Sequence, residues 1–293
     1  MIKEMKNFVV IEGILSAINL KEIQYNNGPN EMMPAIAGDI TVKVILNDQL
    51  LEIKPRFFRK KFNNNGTPNS SYDNLVEFMN TAKSIAAVGE EEADAVKVTG
   101  AKIIMQEYYT PDGRFITYPS VQASYIKILP NKKDVNYTAQ ANIEAIIGKM
   151  DYIMNSDGIE TPKFQITGIH IGYNSYADLI PIVTENESYI EAIKATYKEG
   201  DIVNINANLM FTYSIETSYE QVDIGEPIVH QKTVALSDVV LKGIIFSNYE
   251  DEELQQHQID KCLALRKERI EKKKNKNNER DKILEKNKIN LGF

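Results

Sequence analysis

The chain has 293 residues, of which 43% are hydrophobic and 26% charged, and its formal net charge is −7. This length suits about two domains of roughly 100–200 residues each, and the composition argues against disorder of the main body. The single cysteine, Cys262, excludes an internal disulfide framework, and no apolar run approaches the ~20 residues that cross a bilayer. Because the start lacks the apolar run of a secretory signal, we expect a protein of the reducing cytoplasm without a membrane partner.

The first part of the chain reads as strands separated by polar loops. Residues 8–20 and 40–53 are apolar or alternating over strand lengths. The stretch 25–31 between them is rich in Asn, Gly and Pro and predicts a loop. The chain therefore opens as β-structure.

A helix and a hairpin are predicted next. Ser71 or Asp73 caps the helix, whose apolar positions continue to about residue 87. Two alternating segments, 96–109 and 114–128, then flank a Thr-Pro-Asp-Gly sequence, and its Pro and Gly suit a tight reversal. These two segments form the clearest hairpin of the chain.

A second strand-rich unit follows a polar linker and a mixed segment that ends at Glu160. Its helix is predicted over residues 189–197, and its later strands over 201–213 and 230–246. From residue 252 the pattern becomes helical. A thin apolar stripe there would let the first half of the tail dock on the body, and its positions are Leu254, Ile259, Leu263 and Ile270.

The two units look like versions of one plan. An apolar opening with a glycine recurs in the segments that begin at Phe8 and Phe164, and an alternating strand recurs in those that begin at Val96 and Val203. Such a repeat favours one binding surface used twice over a single catalytic centre.

The order of strand, strand, strand, helix and hairpin predicts a mainly β fold. We expect two five-stranded barrels in tandem, each like the oligonucleotide-binding (OB) barrel, plus a C-terminal charged helix or tail. A split β-sandwich is the alternative. The predicted divisions are 1–133 with an insertion at about 59–94, 134–250 with a leading linker, and 251–293 as a basic tail.

The charge is divided unevenly between body and tail. Residues 261–293 hold twelve Lys and Arg against five Asp and Glu, a net of +7, which leaves −14 for residues 1–260. A basic segment of this kind indicates an arm for nucleic acid or an acidic partner, with a solvated helix as the alternative. On a nucleic-acid binder the arm would supply cations to the strand or fold back on the acidic body.

Motifs for catalysis are missing from the sequence. The histidines His170, His230 and His257 are far apart and have no Cys or His at metal-ligand spacing. There is no G-x-S-x-G elbow and no phosphate-binding P-loop. We therefore expect no catalytic residues, no metal and no cofactor.

Binding of a single nucleic-acid strand needs cations along a groove and flat side chains on which bases stack. Both occur in a basic aromatic cluster before residue 63 and around the predicted hairpin turn, and more weakly in the second unit. Alternation predicts that about half of these aromatics face inward and that the adjacent Phe57 and Phe58 point to opposite sides. The candidate contact residues are Arg56, Phe57, Phe58, Arg59, Lys60, Phe62, Tyr108, Tyr109, Arg114, Phe115 and Tyr118, with Tyr173, Tyr176, Phe211 and Tyr213 of the second unit as weaker candidates.

These segments resemble bacteriophage single-stranded DNA-binding proteins with tandem OB barrels. The resemblance covers about residues 5–250 and rests on the doubled F-x-x-x-(x)-G opening, the hairpin from Tyr108 to Tyr118, and the segment Gly-Asp-Ile-Val-Asn-Ile-Asn-Ala that starts at Gly200. It implies coating of exposed single-stranded DNA during replication or recombination, without a cofactor. Many members recruit replication or recombination proteins through an acidic tail, whereas this chain ends in a basic one.

Two other classes of function stay open. A virion or tail structural protein could also be an acidic, strand-rich repeat with a charged end; it would self-assemble and ignore oligonucleotides. An enzyme would need carboxylates placed together by the fold rather than by spacing. The sequence leaves the oligomeric state open.

Overall fold

The computed structural model of the protein describes residues 3–28, 31–110, 112–155, 157–220, 228–249 and 256–290. Within these ranges one continuous sheet of twelve strands closes into two barrels. The strands are β1 (Asn7–Gly28), β2 (Glu31–Leu46), β3 (Gln49–Ile53), β4 (Arg56–Lys60), β5 (Ala95–Tyr109), β6 (Phe115–Gln122), β7 (Tyr125–Ile128), β8 (Thr138–Met154), β9 (Glu160–Ile171), β10 (Ala177–Thr184), β11 (Ile202–Glu220) and β12 (Ile228–Phe246). The helices are α1 (Ser70–Thr81), α2 (Ile85–Val88), α3 (Glu187–Thr196) and α4 (Gln256–Asn290).

The first barrel is a closed ring of five strands in the order β1, β2, β4, β6, β5. Strand β5 closes the ring by pairing antiparallel with β1, and β4 meets β6 in parallel at Arg56 and Gln122. The short strands β3 and β7 lengthen the edges of β2 and β5. Helix α1 lies between β4 and β5 in the chain and buries Leu75 and Phe78 in the same core.

The second barrel repeats this order with β8, β9, β10, β12 and β11. Strand β11 closes it on β8, β10 meets β12 in parallel, and α3 lies between the third and fourth strands. The prediction of two five-stranded barrels with a C-terminal helix is confirmed, and the split β-sandwich is wrong because each ring closes. The prediction that the strands from Val96 and Val203 are equivalent also agrees with the topology, since each is the closing strand of its barrel.

The barrels share a ladder in which β1 pairs antiparallel with β8. This ladder runs from Asn7 opposite Ile143 to Glu12 opposite Thr138, with Val9 opposite Ala141 near its middle. The first strand of each barrel thus pairs with two strands of its own barrel and also with the first strand of the other barrel. The two barrels are related by an approximate two-fold axis near the middle of the ladder.

This arrangement corrects the repeat proposed from the sequence. Phe164 lies in β9, the second strand of its barrel, so it is not the counterpart of Phe8 in β1. The counterpart is β8, in which Ile-Glu144-Ala-Ile-Ile corresponds to Ile-Glu12-Gly-Ile-Leu of β1. Residues 138–154, expected as part of a mixed segment between the units, are therefore the first strand of the second barrel.

The helices also differ in detail from the prediction. Asn69 rather than Ser71 or Asp73 caps α1, because its side chain accepts a hydrogen bond from the Ser71 amide. This helix ends at Thr81, where Ala82 adopts an extended conformation, and α2 is a separate single turn. The hairpin is as predicted, with Tyr109 opposite Phe115 across the turn.

The first half of α4 docks on the second barrel, as its apolar stripe predicted. Cys262 is buried, and Ile259 and Leu263 pack beside it in a cluster that includes Met5 and Ile171. Leu254, the first position of the stripe, lies outside the described residues. Among the described residues, no helix has both the length and the apolar character needed to cross a membrane.

Two buried glutamates bond across the ladder at equivalent positions. Glu12 accepts hydrogen bonds from the Asn136 amide at 2.8 Å and from the Lys97 ammonium at 2.8 Å. Glu144 accepts from the Lys6 amide at 3.1 Å. Burial by itself would raise the pKa of Glu12, but the bonds from Lys97 and Asn136 and nearby positive charge outweigh it and hold this pKa below its ordinary value.

Replacement of Glu12 by Gln is expected to lower the free energy of unfolding at pH 7 by about 1–3 kcal/mol, because a charge-assisted bond is lost. Since the folded pKa lies below the ordinary value of 4.5, Glu12 stabilises the fold above that pH. This stabilisation is lost as the pH falls through the folded pKa, so Glu12→Gln should lose less stability on acidification than the wild type. Urea unfolding between pH 7 and 3 measures the difference, with exposed Glu77→Gln as control. Parallel acid curves for wild type and Glu12→Gln would contradict the prediction.

Candidate nucleic-acid interface

The outer side of β4 carries a small aromatic and basic surface, which we call the first patch: Tyr25, Arg56, Phe58 and Lys60. The last three alternate along β4 and point away from the core, as the period of a strand requires. The Tyr25 ring from β1 meets Phe58 edge to face, with centroids 5.4 Å apart, and the Lys60 ammonium lies 5.1 Å from the Tyr25 centroid. Arg56 is exposed at the end of this row.

The side chains next to the first patch make contacts that stabilise the fold. Phe57 is 3% exposed and lies in the core of the first barrel, so the prediction that it contacts a strand is corrected, whereas its opposite orientation to Phe58 is confirmed. The Arg59 guanidinium donates to the carbonyl oxygens of Phe58 and Ala123 at 2.6 and 3.2 Å, and burial lowers the pKa of this arginine. Phe62 is half-buried beyond the strand and forms an isolated bridge with Pro68.

The β5–β6 hairpin presents two exposed tyrosines on one face, which we call the second patch: Tyr108 and Tyr118. Their rings meet edge to face with centroids 6.4 Å apart. Both rings are exposed, so they offer flat surface to a ligand. Arg114 at the turn forms an ion pair with Asp112 at 2.6 Å, and both side chains are exposed.

The other face of this hairpin turns toward α4. Tyr109 and Phe115 pack together with centroids 5.2 Å apart, and the Lys274 ammonium lies 5.7 Å from the Tyr109 ring centroid. Glu107 belongs to the same side of β5 as Tyr109, by strand alternation. The hairpin therefore places Tyr108 and Tyr118 on one face and Tyr109 and Phe115 on the other, where Tyr109 contacts α4 and Phe115 is 40% exposed.

Glu107 forms the centre of a buried ionic cluster that ties α4 to the first barrel. Its side chain is 0% exposed and contacts the guanidinium groups of Arg266 and Arg269. The Lys273 ammonium donates to its backbone carbonyl at 2.8 Å. Arg269 also lies 3.6 Å from Asp178 of β10, so one cluster joins both barrels to the helix.

The second barrel contributes aromatic side chains at the turn between β9 and β10. Tyr173 is 68% exposed, and the exposed Tyr176 ring lies beneath the Arg269 guanidinium at 4.9 Å. Phe211 is 6% exposed and belongs to the core, which corrects its prediction as a contact residue. The side chain of Tyr213 lies outside the described residues.

Two titratable groups lie close to this turn. Burial lowers the pKa of His170, whose Nδ1 is 3.0 Å from the carbonyl oxygen of Glu144. Burial also raises the pKa of Asp178, and the positive charge of Arg269 opposes that rise. In the described part of the chain, no three His, Cys, Asp or Glu side chains come together as metal ligands.

Sequence reasoning missed Tyr25 and the Glu107 cluster. Tyr25 closes an alternating run at the start of the predicted loop 25–31, although an aromatic residue at the end of a long strand is a usable signal. The cluster joins residues more than 150 positions apart in the chain, and no spacing rule reaches that far.

Two closed five-stranded barrels, each with a helix between its third and fourth strands, define a protein of tandem OB-like barrels. The chain belongs to the YorF family, whose sequence profile matches residues 6–276. The crystal structure of the wild-type single-stranded DNA-binding protein from Thermus aquaticus is similar over 87% of this chain and 99% of that one, with a TM-score of 0.51 and 10% identity. A deletion mutant of that protein gives a TM-score of 0.48 over 86% and 99%, also at 10% identity. No curated protein sequence matches the chain significantly. At such identities the likeness shows the fold alone.

Proposed function

We propose that this protein binds single-stranded DNA without sequence preference and without catalysis. The observation that carries the proposal is the first patch, where Arg56, Phe58 and Lys60 on the outer side of β4, the third strand of a closed OB-like barrel, lie beside the Tyr25 ring of the first strand. OB barrels bind oligonucleotides on the face of their second and third strands, and β4 is the third strand of this barrel. Stacking on Phe58 and Tyr25 and phosphate contacts from Arg56 and Lys60 would both be insensitive to base identity.

The second patch extends the proposed interface. Tyr108 and Tyr118 lie on the hairpin between the fourth and fifth strands of the barrel, and this loop also belongs to the OB binding surface. The net charge of −14 on residues 1–260 disfavours general attraction of phosphates, so binding depends on such local surfaces.

The biological setting that we propose is replication or recombination of a phage genome in the host cytoplasm. Its support is the resemblance of the two-barrel chain to phage proteins of this kind and the fold shared with a bacterial single-stranded DNA-binding protein. Replication or recombination proteins would be further partners. We also propose 1–133, 134–250 and 251–293 as the functional divisions of the chain.

The test is fluorescence anisotropy with a labelled single-stranded oligonucleotide and its duplex, at low and moderate salt. Phe58→Ala should weaken single-strand binding by about 1–3 kcal/mol, because one base loses its stacking surface while the core is untouched. Tyr189→Ala, an exposed tyrosine on α3, is the matched control and should bind as the wild type.

The outcomes separate the classes of function. Tight, salt-sensitive preference for the single strand supports the proposal. Absence of binding by the wild-type chain at both salt concentrations would refute it and favour a structural, self-assembling protein.

A further inference from the structure

Helix α4 covers part of the surface that the second barrel would use for a nucleic-acid strand. The second and third strands of this barrel are β9 and β10, and OB barrels bind oligonucleotides on the outer face of these strands. Near the β9–β10 turn, Ile171 and Ala177 are buried in the cluster that contains Cys262 of α4. This half of the face is therefore closed to a strand while α4 stays docked.

The contacts of α4 are those of a permanent part of the fold. Cys262 is buried against the barrel with Ile259 and Leu263 partly buried beside it, and Arg266 and Arg269 bind the fully buried Glu107. A guanidinium that left this cluster would leave a buried carboxylate without its partners, which is strongly unfavourable. The basic helix thus stays on the body and can still present cations to solvent.

Two grooves flank the stacked pair of Tyr176 and Arg269. One has a volume of about 470 Å³ and runs between α4 and the turn, with Lys272 and Lys273 on its wall. The other, of about 370 Å³, lies where β5 meets the turn and is lined by Lys102 and Tyr173 among others. Four Lys and Arg side chains line the two grooves against the two carboxylates of Glu268 and Asp178.

Two residues that line the second groove, Lys102 and Ile104, belong to the same strand as Tyr108 of the second patch. Strand alternation places Lys102, Ile104 and Tyr108 on the same side of β5. The distance along this strand from Tyr108 to Lys102 is about 20 Å. A strand that stacks on Tyr108 can therefore follow β5 to the turn of the second barrel.

We propose that α4 and the β9–β10 turn form a second single-strand site, which takes the place of the covered half of the second barrel's strand face. Bases stack on Tyr173 and on the exposed part of Tyr176, and phosphates meet Lys102 and Lys272. This inference rests on the proposed function, since it extends the same interface.

The test uses the full chain and an oligonucleotide long enough to reach from the first patch to the turn. Tyr173→Ala should weaken binding about 5- to 140-fold, the range that corresponds to one lost base stack. Lys102→Gln and Lys272→Gln should each reduce the slope of log affinity against log salt by about 0.7, the value for one phosphate of a single strand. Lys198→Gln, an exposed lysine near the end of α3, should leave the slope unchanged.

Cys262 gives an independent measurement, because it is the only cysteine and is buried on the side of α4 that packs against the second barrel. Its reaction with a thiol reagent should stay slow at saturating oligonucleotide. If the thiol becomes reactive when the strand binds, α4 leaves the barrel on binding. That result would overturn the inference.

Failure of this inference is distinct from failure of the proposed function. If the wild type binds and Phe58→Ala weakens binding while the Tyr173, Lys102 and Lys272 variants behave as the wild type, the second site is refuted and the first stands. If the wild type does not bind at all, both are refuted.

Discussion

Replacement of Glu107 by Ala is expected to release α4 from the barrels and to lower the free energy of unfolding by about 3–5 kcal/mol. The carboxylate is fully buried and contacts both Arg266 and Arg269. Its removal leaves two largely buried guanidinium groups without their main partner, and this penalty exceeds what the loss of an exposed ion pair would cost. Urea unfolding measures the stability, and the reactivity of Cys262 reports whether the helix is docked.

Two variants make this result specific to the cluster. Glu107→Gln keeps the shape of the side chain and should fall between the wild type and Glu107→Ala, because the amide retains one acceptor. Glu77→Ala removes an exposed carboxylate from α1 and should change stability by less than about 0.5 kcal/mol. A Glu107→Ala protein with wild-type stability and a protected thiol would show that the cluster does not hold the helix.

The double variant Phe58→Ala with Tyr108→Ala is expected to lose about 2–6 kcal/mol of single-strand binding, twice the range for one stacked base. The two rings lie in different patches and are not in contact, so their effects should add. Anisotropy titrations of the wild type, both single variants and the double variant complete the cycle.

The length of the oligonucleotide is the control for this cycle. With a long strand that covers both patches, each single substitution should lower affinity and the losses should sum. With a strand too short to reach both patches, the loss from either single substitution should shrink, because the other patch still binds. A double variant no weaker than the worse single variant on the long strand would show that the patches do not act on one strand.

Local patterns predicted much of the fold. The hairpin follows from Pro and Gly between alternating strands, and the opposite orientations of Phe57 and Phe58 follow from the period of a strand. What local patterns could not predict is which strands pair. Strand β8 looked like a mixed segment because its outward positions are covered by the other barrel and by α4, so apolar and polar residues do not alternate cleanly along it.

The candidate interface was predictable only in part, for a related physical reason. A ring can contact a ligand only if it lies outside the core, and burial depends on the closure of the whole barrel rather than on neighbouring residues. Phe211 and Tyr108 both lie in predicted alternating strands, although Phe211 is in the core and Tyr108 is exposed. Tyr25 enters the first patch only because β2 brings β1 and β4 to the same surface.

The ladder between β1 and β8 fixes the distance between the binding surfaces proposed for the two barrels. Binding modules on a flexible linker search for their ligand with an effective concentration that depends on linker length. Here a run of backbone pairs from Asn7 with Ile143 to Glu12 with Thr138 holds the two barrels in one sheet. The spacing between their surfaces is thus a constant of the fold, and under the proposed function a strand bound to both barrels would span a fixed distance.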